Sequence, residues 1–305
     1  MKEYPMTFRE FIKRFSTEEQ CRDYLFELRF PNGFVCSKCG HKQYWKVGET
    51  LFTCMSCRHQ TSVIAGTVFQ DTRKPLTDWF IAIWWVTTQK NGASALGLQQ
   101  VLGLKSHQTA WTWLHKIRKA MVNPNRTKLT GTVEVDETYI GGEAIGKHGR
   151  GAENKVLVAV AAELDGKKLG RCRMSIISDA SSDSLHSFIT ENVEKDSNLI
   201  TDGWSGYSGI ENLGFTREIH LQKNEKDEEK LLPHIHTIIS LLKRWLLGTH
   251  QGAVEPKHLQ SYLDEYVFRF NRRKSAQRGL LFYRLLESAM QTKTITYTEL
   301  TNRKM

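Results

Sequence analysis

The stretch GTVEVDETYIGGE, residues 131–143, decides how the second half of the chain is read. Val133 and Val135 alternate with acidic residues, the period of a strand with one apolar face. Glu134 and Asp136 then fall on the opposite face. An aspartate in such a strand is costly to bury unless it is paired, hydrogen-bonded or on a metal. Taken alone, Asp136 also fits an exposed strand end. A second stretch, NLITDGWSGY at 198–207, repeats the pattern: a short β-type run delivers Asp202, followed directly by Gly203. Two strand-end carboxylates in one domain are able to share hard divalent cations, which prefer oxygen ligands. Sites with two such ions clamp both the attacking and the leaving oxygen of a phosphoryl transfer.

Outward from these strands the order is strand (131–140), a loop rich in Gly and Lys (141–155), and the strands KVLVAVAAEL and KLGRCRMSII. A helix near 181–193 precedes the strand that ends in Asp202. The strand TREIHL, the charged loop NEKDEEK and helices at about 233–247 and 256–271 follow. Three adjacent strands and then alternating helix and strand, with carboxylates at strand ends, is the order of an RNase H-like fold. The 141–155 loop is expected to be mobile until a ligand binds. Cys172 lies in a strand and is expected in the core, as are Trp204 and Tyr207.

The front of the chain has a different character. Formal net charge is +10, and residues 1–122 hold seventeen Lys and Arg against nine Asp and Glu, which concentrates the basic excess there. A basic module ahead of a near-neutral one favours a polyanionic partner. WFIAIWWV at 79–86 is too short to span a bilayer, and the N-terminus lacks the apolar core of a signal peptide. A cytoplasmic, nucleoid-associated protein is expected, in which cysteines serve as metal ligands more often than as disulfides. Cys36 and Cys39 form one CxxC and Cys54 and Cys57 another, with fourteen residues between the two pairs. Four thiolates at this spacing close a tetrahedral structural zinc site. Lys38, Lys42, Lys46 and Arg58 around them favour a phosphate-facing surface.

Ahead of the ribbon, residues 7–28 read as two short helices, with Ser16 and Glu19 as a capping box and Cys21 packed on the apolar stripe. Behind it, residues 76–121 read as three helices. The last two, SALGLQQVLGL and SHQTAWTWLHKIRKAM, have the pattern of a helix-turn-helix. His107, Gln108, Thr112 and Lys116 are candidates to face DNA, with Trp113, Leu114 and Ile117 turned inward. NPNRTK at 123–128 marks a domain boundary.

A third metal ligand is expected from the helix LLPHIHTIISLLKRWLLGTHQG, which contains no carboxylate. His236 stands seven residues before Lys243, about two helical turns, so both share a face. With this helix and the ending YLDEYVFRFNRR, the chain resembles bacterial insertion-sequence transposases of the DDE type, in the branch with an N-terminal zinc ribbon. The resemblance runs from the ribbon to LFYRLL at 281–286. It implies an RNase H-like catalytic domain that cleaves DNA strands at transposon ends with Mg²⁺ and transfers them into target DNA. Carried over, the two aspartates fall on Asp136 and Asp202, and the lysine that contacts DNA near the cleaved phosphate on Lys243. The position of the wider family's glutamate falls on His236. An imidazole there suits Mn²⁺ better than Mg²⁺. Should His236 not be a ligand, Glu265 and Asp264 are the nearest alternatives and Glu137 a weaker one. Arg244 and the run Arg269, Asn271, Arg272 and Arg273 are candidate DNA contacts.

The expected whole is a multidomain α+β protein. It has an N-terminal helical segment (1–30), a four-cysteine zinc ribbon (31–70) and a helix-turn-helix region (71–122), then an RNase H-like α/β catalytic domain (123–290) and a tail (291–305). Its partners would be transposon-end and target DNA, bound by a homodimer or higher oligomer. The rival readings are a zinc-ribbon and helix-turn-helix regulator with an inactive second domain, and a nuclease that cleaves without strand transfer.

Overall fold

A computed structural model describes residues 3–123, 125–141, 155–166, 168–221, 231–252 and 254–301. Nearly all of the expected mobile loop at 141–155, and the charged loop NEKDEEK, lie outside the described residues. In chain order the helices are α1 (Phe8–Arg14), α2 (Glu18–Arg29), α3 (Leu76–Thr88), α4 (Ala95–Leu102), α5 (His107–Ala120), α6 (Ser182–Asn192), α7 (Pro233–His250), α8 (Leu259–Asn271), α9 (Arg278–Gln291) and α10 (Tyr297–Thr301). The strands are β1 (Tyr44–Val47), β2 (Leu51–Cys54), β3 (Gln60–Ser62), β4 (Thr132–Gly141), β5 (Lys155–Asp165), β6 (Lys168–Ile176), β7 (Asn198–Thr201) and β8 (Thr216–Ile219). Contacts divide the chain into two units, one of residues 1–123 with 275–303 and one centred on 124–274.

In the first unit, β1, β2 and β3 form an antiparallel sheet. Arg29, at the end of α2, donates to the carbonyls of Ser62, Val63 and Ala65 and ties the ribbon to the helices. The cap of α2 lies one residue beyond the expected pair: Thr17 and Gln20 form the capping box, and Ser16 also bonds Gln20. The aromatic helix α3 is core, with Trp79, Phe80 and Ile83 buried. Its first-turn N–H groups at Leu76 and Thr77 donate to Glu18, which supplies the capping acceptor that Pro75 lacks. Cys21 is fully buried, as expected.

One boundary differs from the sequence reading. The sequence carries the catalytic domain to residue 290, but α9 packs on α3, α5 and α2. Phe282 explains why: it is fully buried among Phe11, Phe15, Phe80 and Trp84. The expected tail contains α10, whose Leu300 is buried.

The second unit is built on a five-stranded sheet in the order β6-β5-β4-β7-β8. β4, β5 and β6 are antiparallel neighbours, and β7 and β8 run parallel to β4. This is the RNase H-like arrangement. The alternation of β4 and β5 divides the core in two. Val133, Val135, Ala159 and Ala161 face α6, while Val158, Val160 and Ala162 face α7 and α8. Cys172 belongs to the second of these cores, and burial pushes its thiol up to about 12.

Candidate active site

Register explains how the two aspartates come near each other. Glu134 of β4 pairs with Ile200 of β7 in a parallel ladder. Asp136 lies two residues beyond that pair on β4 and Asp202 just past the end of β7, near enough for the charge of Asp202 to act on Asp136. The Asp136 carboxylate is 18% exposed, and Oδ1 accepts the Glu137 N–H at 2.9 Å. Burial, together with the negative charge of Glu137, Asp202 and Glu134, raises it to about 7. Asp202 Oδ1 accepts the Trp204 N–H at 3.0 Å.

The third member arrives from α7. Nε2 of His236 lies 3.3 Å from Oδ2 of Asp136, and 42% of the histidine side chain is exposed. Lys243, two turns along α7, is exposed and lines a cleft of ≈ 370 Å³ with Tyr139, Lys155, Leu246 and Val254. Arg244 beside it is exposed as well. The alternative ligands lie elsewhere. Glu265 is buried on α8 over β6 and bonds Arg269 at 2.8 Å. Asp264 accepts from Gln260, and Glu137 turns to the opposite face and accepts the Tyr207 hydroxyl at 2.8 Å.

Two bracing groups escaped the sequence reading. Glu134, expected only as a strand-face acid, is 3% exposed and bonded to the start of α7. Arg217 of β8 donates to Thr201 Oγ1 at 2.9 Å and to the Asp202 carbonyl at 3.0 Å, holding the turn that carries Asp202. A buried acid two residues from Asp136 was visible in the alternation of β4; the Arg217 contact had no local signal.

Two carboxylates and an imidazole are a donor set that suits Mg²⁺ or Mn²⁺. The pair Asp136–His236 is within contact, and Asp202 follows the end of the neighbouring strand β7. Among the described residues the four cysteines are the group of three or more candidate ligands whose atoms all lie within 4.8 Å of one another. Cys36 Sγ is 3.6 Å from Cys57 Sγ, and Cys39 Sγ is 3.6 Å from Cys54 Sγ. Tetrahedral zinc with Zn–S bonds of about 2.3 Å has S···S edges of about 3.8 Å, so the cluster fits structural zinc.

The expected DNA-facing residues divide into exposed and engaged groups. Lys38, Lys42, Lys46 and Arg58 are exposed on the ribbon, Arg58 lying over the Trp45 ring. On α5, His107 and Gln108 are exposed, while Thr112 and Lys116 are half-buried in a depression shared with Tyr297. Trp113, Leu114 and Ile117 are buried as expected, and Ser106 stands at the N-cap without a side-chain bond. The run at the end of α8 is largely taken up within its own unit. Asn271 both accepts from and donates to the Cys172 backbone, and Arg273 donates to the Gly170 and Leu169 carbonyls. Arg272 donates to the Phe268 carbonyl and lies over its ring. Asn271 and Arg273 thereby tie α8 to β6, and Arg273 stays exposed.

No described helix is long and apolar enough to cross a membrane.

Residues 16–60 match a transposase zinc-ribbon domain, and residues 128–271 match an ISXO2-like transposase domain. The chain is 25% identical over 281 residues to an uncharacterized protein in transposable element ISH50 of Halobacterium salinarum, covering 85% of this chain and 92% of that protein. Two solved structures are similar at a TM-score of 0.34 each. One is the catalytic core domain of BIV integrase, 17% identical and covering 49% of this chain and 89% of that one. The other is a simian T-cell lymphotropic virus intasome in complex with PP2A regulatory subunit B56 gamma, 15% identical and covering 63% and 71%. The two domain matches follow each other in the order of the two modules described above: the chain is similar first to a transposase zinc ribbon and then to an ISXO2-like transposase domain.

Proposed function

We propose that the chain cleaves DNA at the ends of an insertion sequence and joins the freed strands to target DNA, with Asp136, Asp202 and His236 as the ligands of Mg²⁺ or Mn²⁺. The observation that carries this reading is the contact between His236 Nε2 and Asp136 Oδ2 beside the strand that delivers Asp202. A bound divalent cation supplies charge neutralisation at the phosphate and lowers the pKa of water. The chain's own residues do the positioning. The Glu137 N–H and the Trp204 N–H each orient one oxygen of a ligand carboxylate. Lys243 and Arg244 hold the DNA backbone near the scissile phosphate as charge-assisted donors. Hydrolysis at the element's end leaves a 3′-hydroxyl, which then attacks a target phosphate in line.

End recognition falls to the first unit. The exposed Lys38, Lys42 and Arg58 meet phosphates, and the open first turn of α5, with His107 and Gln108, suits base edges in a major groove. Thr112 and Lys116 contribute only if their shared depression opens onto the duplex. Two ends must be brought together, so a homodimer or higher oligomer on DNA is part of the proposal.

The experiment is cleavage and joining of a labelled oligonucleotide carrying the element's own end, with Mg²⁺ and with Mn²⁺. Wild type, Asp136→Ala and His236→Ala are compared. The reading predicts that both substitutions abolish cleavage while end binding survives. A wild type that binds ends and never nicks them in either metal would make the protein a DNA-binding regulator.

A further inference from the structure

Glu134 lies two residues before Asp136 on the same face of β4 and is 3% exposed. A carboxylate so buried is expensive unless its oxygens are satisfied. Both are engaged by the start of α7. Oε1 is 2.7 Å from His234 Nδ1, and Oε2 accepts the Ile235 N–H at 2.8 Å. The first N–H groups of a helix have no acceptor within the helix. The N-cap of α7 is Leu232, which has no side-chain oxygen to offer. Glu134 therefore supplies from the neighbouring strand the acceptor that a capping residue would supply from within, with a negative charge at the favourable end of the helix dipole.

The consequence is positional. Ile235 is followed at once by His236, so one residue of β4 holds the α7 backbone and the next on that face, Asp136, meets the His236 side chain. Two successive residues on one face of a strand are matched to successive positions of one helical turn. We propose that Glu134 is a positioning residue for the metal site: it fixes the first turn of α7 so that His236 faces Asp136. The inference rests on the reading that Asp136 and His236 hold the cation. Glu134 is not itself a ligand, because both its oxygens are directed at α7.

The test is Mn²⁺ titration by calorimetry on the full-length, zinc-loaded protein. It compares wild type, Glu134→Ala, Glu134→Gln, His236→Ala and the double variant Glu134→Ala with His236→Ala. Groups that orient metal ligands typically change metal affinity by about 10–100-fold when removed, and Glu134→Ala is expected at the lower end, about tenfold. Glu134→Gln keeps an oxygen for the Ile235 N–H and should recover most of the affinity. In the His236→Ala background, Glu134→Ala should change the affinity no further, since the group it positions is gone. Should Glu134→Ala not fold, Glu134→Asp carries the same expectation, because the charge remains and the carboxylate is drawn back by one methylene.

An equal loss of Mn²⁺ affinity in both backgrounds would overturn the proposal. So would wild-type affinity with only a lower melting temperature, which would leave Glu134 a stabilising pair and nothing more. A His236→Ala protein that binds Mn²⁺ as wild type does would remove the metal-site reading itself, and the inference with it.

Discussion

Nε2 of His236 stands 3.3 Å from Oδ2 of Asp136, an imidazole from α7 meeting a carboxylate from β4. With a histidine in place of a carboxylate this site has one acidic ligand fewer than a three-carboxylate set, and nitrogen donors favour Mn²⁺ over Mg²⁺. His236→Glu is accordingly expected to raise cleavage in Mg²⁺ relative to Mn²⁺, and Asp136→Asn to lower cleavage by about a hundredfold or more in either metal. End-cleavage rates in the two metals decide this. An unchanged Mg²⁺ to Mn²⁺ ratio in His236→Glu would count against His236 as a ligand.

Arg217 spans from β8 to the turn that carries Asp202 through Thr201 Oγ1 and two backbone carbonyls, those of Asp202 and Trp204. Its loss frees the carbonyls without touching either aspartate side chain. Arg217→Ala should reduce the cleavage rate about tenfold, with a hydrogen-bond loss of about 1–3 kcal/mol visible in denaturant unfolding. Arg217→Lys has one charged donor group in place of the planar fork and should fall between. Cleavage unaffected by Arg217→Ala would show that the turn holds itself.

The ribbon offers a separate prediction. Its three strands are short, and Cys36, Cys39, Cys54 and Cys57 close the segment. A segment of this size depends on its metal for folding. One zinc per chain is expected by elemental analysis, and Cys54→Ser or a strong chelator should abolish it. Amide-exchange protection should then vanish across residues 36–62 while the β4–β5 ladder stays protected. Retained protection in the ribbon without zinc would refute this.

Acid lability should report on Glu163. Arg171 reaches it with Nε at 2.8 Å and Nη2 at 2.7 Å, and the Thr130 N–H donates to it at 2.9 Å. The side-chain bonds from Arg171, more than any other cause, hold its carboxyl down at about 2, below the ordinary 4.5. A carboxyl depressed by folding stabilises the protein fully above its unfolded pKa and loses that contribution as pH falls through its folded one. The window is therefore about pH 4.5 down to about 2. With solvent screening the contribution is about 1 kcal/mol. Glu163→Gln should lower stability by that amount at pH 7 and flatten the decline in the window, as read from urea midpoints against pH. Parallel pH curves for the two proteins would contradict it.

Much of the site was legible in one dimension because its signals are local. CxxC spacing, the alternation Val133–Glu134–Val135–Asp136, and a β-type run ending in Asp202 each report a short-range geometry. His236 and Lys243 declared their common face by helical spacing. The partners of the Arg269–Arg273 run were not legible for the same reason: basic composition is local, whereas the carbonyls of Gly170 and Leu169 and the Cys172 backbone that engage Asn271 and Arg273 lie on a distant strand.

The sequence by itself determined the four-cysteine ribbon, the strands of the five-stranded sheet and the residue types of the proposed site, since periodicity and ligand spacing are properties of neighbouring residues. Only the tertiary structure decided that β7 joins β4 in the register that brings Asp202 near enough for its charge to act on Asp136. It likewise decided that Glu134 turns to α7 and that α9 returns to the first unit around Phe282. Those outcomes depend on which distant surfaces bury each other and which buried polar groups find partners across the fold. No local pattern encodes either.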